Sequence, residues 1–149
     1  VPHDDAAQAK MLDDFRRLAG GEGEGGDIEV LERRLPVVRR APGVIWFDFA
    51  TLCGGPRSQN DYLEIAREHH TVLLSAVPKM SAGQASEARR FTWLIDVLYD
   101  HRVKLVMSAA VDAPELYVEG HNAHEFVRTV SRLIEMRTRD YLAEPHRVD

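Results

Sequence analysis

Thr71-Val72-Leu73-Leu74-Ser75-Ala76-Val77 is a short continuous apolar run that stops at Pro78, as a buried strand does. Residues 86–101 follow with Phe91, Leu94, Ile95, Leu98 and Tyr99 on one helix-period face, Ser86 as candidate cap and Glu87 in the first turn. Val103-Lys104-Leu105-Val106-Met107-Ser108-Ala109 is a second apolar run. Strand, helix and strand in that order form a βαβ unit, which predicts parallel strands joined by a right-handed crossover. Both strands end in Ser-Ala and lead into a Pro-containing loop, a weak echo too short to establish a repeat.

Upstream of this unit, residues 2–19 predict a helix. Pro2 starts it, Asp4 and Asp5 suit its positive end, and Arg16 and Arg17 suit its negative end. Met11, Phe15 and Leu18 supply its apolar stripe. Residues 20–26 hold five glycines and two glutamates and predict a flexible loop. Residues 28–49 predict a β-hairpin. Ile28 and Val30 alternate with acids, Pro36 marks an edge strand, Ala41-Pro42-Gly43 turns, and Val44 to Phe49 is rich in β-branched and aromatic residues. A helix over Tyr62 to about His69 is capped by Ser58, Asn60 or Asp61.

Downstream, Pro114 to Val118 predicts a helical turn. Ala123 to Leu142 predicts a final helix carrying Phe126, Val130, Leu133, Ile134 and Tyr141, and residues 144–149 a frayed tail. The fold class expected is α/β: a small parallel βαβ core with flanking helices and an appended β-hairpin, all within one domain over residues 1–149.

The chain has 149 residues, 44% hydrophobic and 29% charged, which suits one globular domain. No apolar run is long enough for a transmembrane helix. A net charge of −5 and a pI near 5.8 argue against nucleic acid as a partner. Cys53 is the single cysteine, which points to a reducing compartment. The chain starts at Val1 without a basic-then-apolar leader, which fits either a processed terminus or an internal fragment.

A phosphate cradle of the P-loop type needs a Gly-Lys pair. Lys10, Lys79 and Lys104 follow Ala9, Pro78 and Val103, so none is present. There is no Gly-x-Ser-x-Gly elbow, Cys-x-x-Cys or His-Glu-x-x-His, and no metal site is expected. His121 and His124 beside Glu125 have ligand-like spacing, yet no third strong ligand is close in sequence, so exposed residues at a helix entry explain them better. Cys53 reads as a buried small hydrophobe after a strand rather than a reactive thiol. Arginines are the better candidates. Arg89 and Arg90 fall in the first turn of the predicted helix, where the dipole disfavours cations, so they suit an anion or an acidic partner. Arg128 and Arg132 share one helix face, with intrahelical pairs to Glu125 and Glu135 as the plainer explanation.

Several of these strings stand in a familiar order. They are Phe47-Asp48-Phe49-Ala50-Thr51-Leu52-Cys53, Asp61-Tyr62-Leu63-Glu64-Ile65-Ala66, Ala88-Arg89-Arg90-Phe91, Leu94-Ile95-Asp96-Val97-Leu98-Tyr99-Asp100 and Arg128-Thr129-Val130-Ser131-Arg132-Leu133-Ile134-Glu135-Met136. Over residues 44–142 the chain resembles the C-terminal part of the ZapE-type AAA+ ATPases, cell-division ATPases of bacteria with mitochondrial relatives. The Walker A and Walker B motifs and the sensor strand would then lie upstream of Val1.

For the full-length protein the resemblance implies ATP and Mg²⁺ as cofactors and a hydrolase activity. It also implies a cytoplasmic location at the inner membrane face, protein partners in the division machinery, and a homo-oligomer. Alone, this chain is expected to hold no cofactor and to hydrolyse no ATP. Arg89, Arg90, Arg128 and Arg132 become candidates for a nucleotide-facing or interprotomer role. Two other readings stand beside this one: a protein-interaction module with no nucleotide role, and a small enzyme using Ser75, Ser108 and Cys53 at the strand ends.

Overall fold

The computed structural model describes residues 5–148. The predicted helix start at Pro2 and Asp4 lies outside the described residues, and α1 runs Asp5–Ala19.

Strands β4 (Thr71–Val77) and β5 (Lys104–Ala109) pair in parallel from Thr71↔Lys104 to Leu74↔Met107, joined through α4 (Ala85–Asp100). The predicted unit is therefore present. A second one precedes it: β3 (Val44–Asp48) pairs in parallel with β4 from Val44↔Thr71 to Asp48↔Ser75 and reaches it through α2 (Phe49–Cys53) and α3 (Gln59–Glu68). Ser58 caps α3 in a capping box with Asp61, which satisfies two N–H groups at the helix start. The hairpin strands β1 (Glu24–Val30) and β2 (Arg33–Ala41) are thus part of the sheet, whose order is β1-β2-β3-β4-β5, and the chain folds in the α/β class expected.

Both faces of the parallel half are covered, which is why its strands read as unbroken apolar runs. Alternate side chains divide between two layers. On one face Val44, Trp46 and Leu73 are buried under Met11 and Phe15 of α1, with the Phe15 and Trp46 rings 6.2 Å apart. On the other, Ile45, Phe47, Val72 and Leu74 pack in a core that includes Tyr62 and Ile65 of α3 and Phe91 and Leu94 of α4. Burying each large apolar side chain contributes about 1.5–3 kcal/mol.

Three sequence expectations change in detail. First, β1 (Glu24–Val30) begins inside the glycine run, so the loop is confined to its first residues. The β1–β2 register shifts between Glu24 and Gly26, a bulge that Gly26 suits at φ +106°. Second, β2 (Arg33–Ala41) lies between β1 and β3, so Pro36 is not on the edge strand. Its pairs with β3 cover only Arg39 to Ala41, so Pro36 lies past the last of them and is flanked by a partner strand on the β1 side alone, opposite Asp27. The β1–β2 turn is Leu31-Glu32, both at positive φ (48° and 69°), where a glycine or asparagine is usual. Third, the last helix is two: α5 (Phe126–Glu135) and α6 (Arg139–Ala143). Thr138 caps α6 by accepting from the Tyr141 N–H at 3.2 Å, and the bend turns Tyr141 into the core.

Over its described residues the tail is bonded to the body of the fold. His146 Nε2 donates to the Ala66 carbonyl (2.5 Å), the Arg147 N–H donates to the His101 carbonyl (2.8 Å), and Glu144 pairs with Arg102.

Candidate functional site

Ligands of open α/β sheets bind outside the carboxyl ends of the strands, and that end here is polar. Trp46 Nε1 donates to Ser75 Oγ (3.0 Å), and Ser75 Oγ donates to Asp48 Oδ1 (2.5 Å). Next to Ser75, Ala76 sits at φ +66°, where the β4–β5 register shifts, and its N–H donates to Ser108 Oγ (3.1 Å). An alanine held in the left-handed region costs about 1–2 kcal/mol, which the neighbouring bonds offset.

Ser75 and Ser108 are therefore tied into the sheet, and among the described residues no histidine is bonded to either. Cys53 is fully buried, and burial pushes its thiol up to about 12, against the weaker opposing pull of Tyr62. The thiolate that a nucleophile needs is absent at neutral pH. The three polar groups of the small-enzyme reading do not form a nucleophile–base pair.

Of the four candidate arginines, Arg89 and Arg90 lie near this end, early in the helix that follows β4, and Arg128 and Arg132 lie along α5 beside the later part of that helix. The helix α4 begins at Ala85 after a 3-10 turn over Ala82–Gln84, so Ser86 is inside it and Arg89 and Arg90 fall in the second turn. They point different ways. Arg90 Nε donates to the Cys53 carbonyl (2.7 Å) and ties α4 to the end of α2. Arg89 is exposed, its guanidinium 5.1 Å from the centre of the Trp93 ring. Such a contact contributes about 0.5–1 kcal/mol at an exposed site and leaves the N–H donors free.

On α5, Arg132 reaches across to Asp96 of α4 and lies 4.9 Å from the Tyr99 ring, so its partner is not Glu135. Glu135 instead accepts from the Tyr99 hydroxyl (2.8 Å). Arg128 is exposed and, among the described residues, neither it nor Arg89 has an ion-pair partner. Thr129 Oγ1 donates to Thr92 Oγ1 (3.1 Å) at the same helix interface.

Arg89 lines a groove of about 380 Å³ between α4 and the 117–126 segment, with Trp93, Tyr117, His121, Glu125 and Phe126. Sequence reasoning missed Trp93 and Tyr117. Their signal was an aromatic four residues from an arginine on one helix, and a tyrosine beside the histidine pair. His121 and His124 lie in turns ahead of α5, not on a helix face, and His124 approaches only Glu125 (3.7 Å). Among the described residues no three His, Cys, Asp or Glu side chains gather as a metal site would require.

Residues 1–145 match the family model of the AFG1-like ATPases. The chain belongs to that family. It is 40% identical over 146 residues to the cell division protein ZapE of Escherichia coli K12, an alignment that covers 97% of this chain and 39% of that protein. It is 32% identical to lactation elevated protein 1 homolog B of Danio rerio, covering 76% of this chain and 29% of the relative. An uncharacterised Schizosaccharomyces pombe protein is 31% identical over 80% of this chain and 32% of its own length. This AFG1-like chain thus spans about two fifths or less of the curated relatives it matches. No solved structure matches it.

The residues here do not fit a Mg²⁺–nucleotide centre. No glycine precedes a lysine, and no carboxylate cluster stands among the described residues. Among the described residues no helix is long and apolar enough to cross a membrane.

Proposed function

We propose that the whole protein containing this AFG1-like chain binds and hydrolyses ATP with Mg²⁺, and that this segment supplies a cation and a docking face rather than the phosphate cradle. The observation that carries this is Arg89: exposed, preorganised on Trp93 and unspent on any internal carboxylate among the described residues. An arginine reaching a nucleotide from a neighbouring lobe or protomer stabilises charge developing on the transferred phosphoryl group. Arg128, also without an ion pair among the described residues, is its companion, whereas Arg90 is bonded to the Cys53 carbonyl and Arg132 to Asp96. One relative is named a cell division protein, and we extend that link to this chain. Its proposed setting is the cytoplasm at the inner membrane face, in a homo-oligomer contacting division proteins and not nucleic acid.

The test is ATPase rate and nucleotide affinity in the full-length protein. Arg89→Ala is expected to lower kcat by at least about 10-fold, a conservative floor for removing such an arginine. Unchanged rate and affinity in both Arg89→Ala and Arg128→Ala would overturn the proposal.

A second reading, a protein-interaction module without a nucleotide role, draws on α5. Val127 (64% exposed) and Ile134 (46%) are seven apart on its outer face. In that case the ATPase rate of both arginine variants stays normal while partner capture falls in Val127→Asp.

A further inference from the structure

The segment between α2 and α3, Gly54 to Ser58, gathers three guanidinium groups from distant parts of the chain. Arg33 opens β2, Arg57 belongs to the loop itself, and Arg90 comes from α4. Arg33 Nη1 (3.1 Å) and Arg57 Nη1 (2.8 Å) both donate to the Pro56 carbonyl, and Arg90 Nε donates to the Cys53 carbonyl (2.7 Å). Backbone oxygens, not carboxylates, are what these cations share.

The acids nearby are already engaged. Asp61 accepts from the Ser58 N–H (2.8 Å) as part of the α3 cap and lies 3.6 Å from Arg33. Glu87 accepts from Gln84 Nε2 (3.0 Å). Arg57 and Arg90 have no ion pair among the described residues. Arg57 Nε is buried without any hydrogen-bond partner, the one such side-chain nitrogen or oxygen among the described residues. Buried donors in folded proteins are almost always paired, so an unpaired one marks a place where an acceptor is due.

Both arginines act electrostatically on the same two groups, the Cys53 thiol and the Tyr62 hydroxyl, so their charges bear on one spot. Beside them Gly55 has open space where a side chain would project. The loop follows α2, the short helix that leaves the carboxyl end of β3, which is the side of an open α/β sheet where ligands bind.

We infer that the Gly54–Ser58 loop with Arg57 and Arg90 is an oxyanion site that takes a phosphate group. Planar guanidinium forks match phosphate oxygens in pairs, and an anion there gives Arg57 Nε its missing acceptor. Arg33 adds charge from the third side. The site is separate from Arg89 and does not depend on the ATPase reading, because phosphate binding by this chain is measured without turnover. The phosphate has two candidate sources, free inorganic phosphate and the phosphate chain of a nucleotide.

The experiment is a titration of the 149-residue chain with sodium phosphate, and separately with ATP without Mg²⁺, following the arginine Nε–H resonances by NMR. A saturable shift of the Arg57 and Arg90 signals is expected, with affinity weakened about 10-fold or more in Arg57→Gln, the scale of losing one charge-assisted fork. Arg139→Gln, an exposed arginine on α6, keeps wild-type affinity. Should Arg57→Gln fold poorly, Arg57→Lys keeps the charge, removes the fork and is expected to bind more weakly than wild type. ATP binding about 10-fold tighter than phosphate assigns the site to a nucleotide, and equal or weaker ATP binding assigns it to free phosphate. No saturable shift at about 10 mM of either ligand, well above a millimolar Kd, overturns the inference. So does unaltered affinity in both Arg57 variants. Neither failure touches Arg89, whose role is read from ATPase rate.

Discussion

At the amino ends of the parallel strands, where α3 and α4 finish, the donors meet carbonyls. His69 Nδ1 donates to the Ile65 carbonyl (2.8 Å), His101 Nδ1 to Val97 (3.0 Å), and His146 Nε2 and the Arg147 N–H bring the tail down onto Ala66 and His101. Helix C-termini present unpaired carbonyls and a negative dipole end, so imidazoles and arginines belong there. At the carboxyl ends the count is reversed. Ser75 bridges Trp46 and Asp48, Ala76 is held at positive φ, and among the described residues Arg57 and Arg89 have no carboxylate partner. One end is closed by its own side chains, the other has donors to spare, and chemistry needs the second kind.

The comparison breaks if the carboxyl end is as loosely built as it is open. Trp46→Ala tests that. It removes a fully buried ring packed on Phe15 and leaves Ser75 Oγ without its indole donor, so a loss of about 3–5 kcal/mol is expected in urea unfolding. Trp46→Phe sharpens the result, because it keeps an aromatic ring beside Phe15 while deleting the N–H and part of the indole volume, for a smaller loss of about 1–3 kcal/mol. A loss under about 1 kcal/mol in Trp46→Ala would show that the network does not brace the strand ends.

The amino end should respond to acid. Burial lowers the proton affinity of His69 and His70, and for His70 the neighbouring Lys104 and His146 add to it, while the Ile65 carbonyl and, less strongly, Glu68 oppose it at His69. The folded rings therefore bind protons less readily than the unfolded ones. Below about pH 6.5 the unfolded state holds more protons, so stability falls as pH drops and levels off once the folded rings have titrated. The slope is at most about 1.4 kcal/mol per pH unit for each ring. Chemical denaturation between about pH 7.5 and about pH 5.5 measures it, those limits being about one unit either side of the histidine value. His69→Gln is expected to flatten the curve, and an unchanged slope in that variant counts against the closed-end description.

How much of this was visible beforehand depended on how local the cause is. The runs at 71–77 and 103–109 gave away the parallel strands, because a covered sheet leaves no polar alternation to obscure them, β4 being buried and the edge strand β5 half-buried. The turn at Leu31-Glu32 was hidden because neither residue is a usual left-handed one. The break between α5 and α6 was hidden because the apolar period continues across it, and Thr138 is only weakly marked as a cap. At the site, naming Arg89, Arg90, Arg128 and Arg132 needed only charge and spacing. Sorting them needed partners far off in sequence: Cys53 is 37 residues from Arg90, and Asp96 is 36 from Arg132. Arg57 was passed over altogether, since nothing local distinguishes an arginine whose Nε will be stranded.

The smallest effect tests whether the tail is part of the closed end or only lies against it. His146 donates to a carbonyl of α3, while the backbone of the next residue donates to a carbonyl beyond α4, so the two bonds bridge helices that belong to successive βαβ units. His146→Ala removes the first and keeps the second, because the Arg147 N–H is unaffected by the substitution. The expected cost is about 0.5–1.5 kcal/mol in global stability, the usual net worth of one hydrogen bond. Hydrogen exchange locates it: a latch that holds makes the Arg147 amide exchange faster in His146→Ala while the β4 amides lose protection only in proportion to global stability. If the Arg147 amide already exchanges freely in the wild-type chain, the tail merely rests on the surface. The amino end would then be closed by His69 and His101 alone.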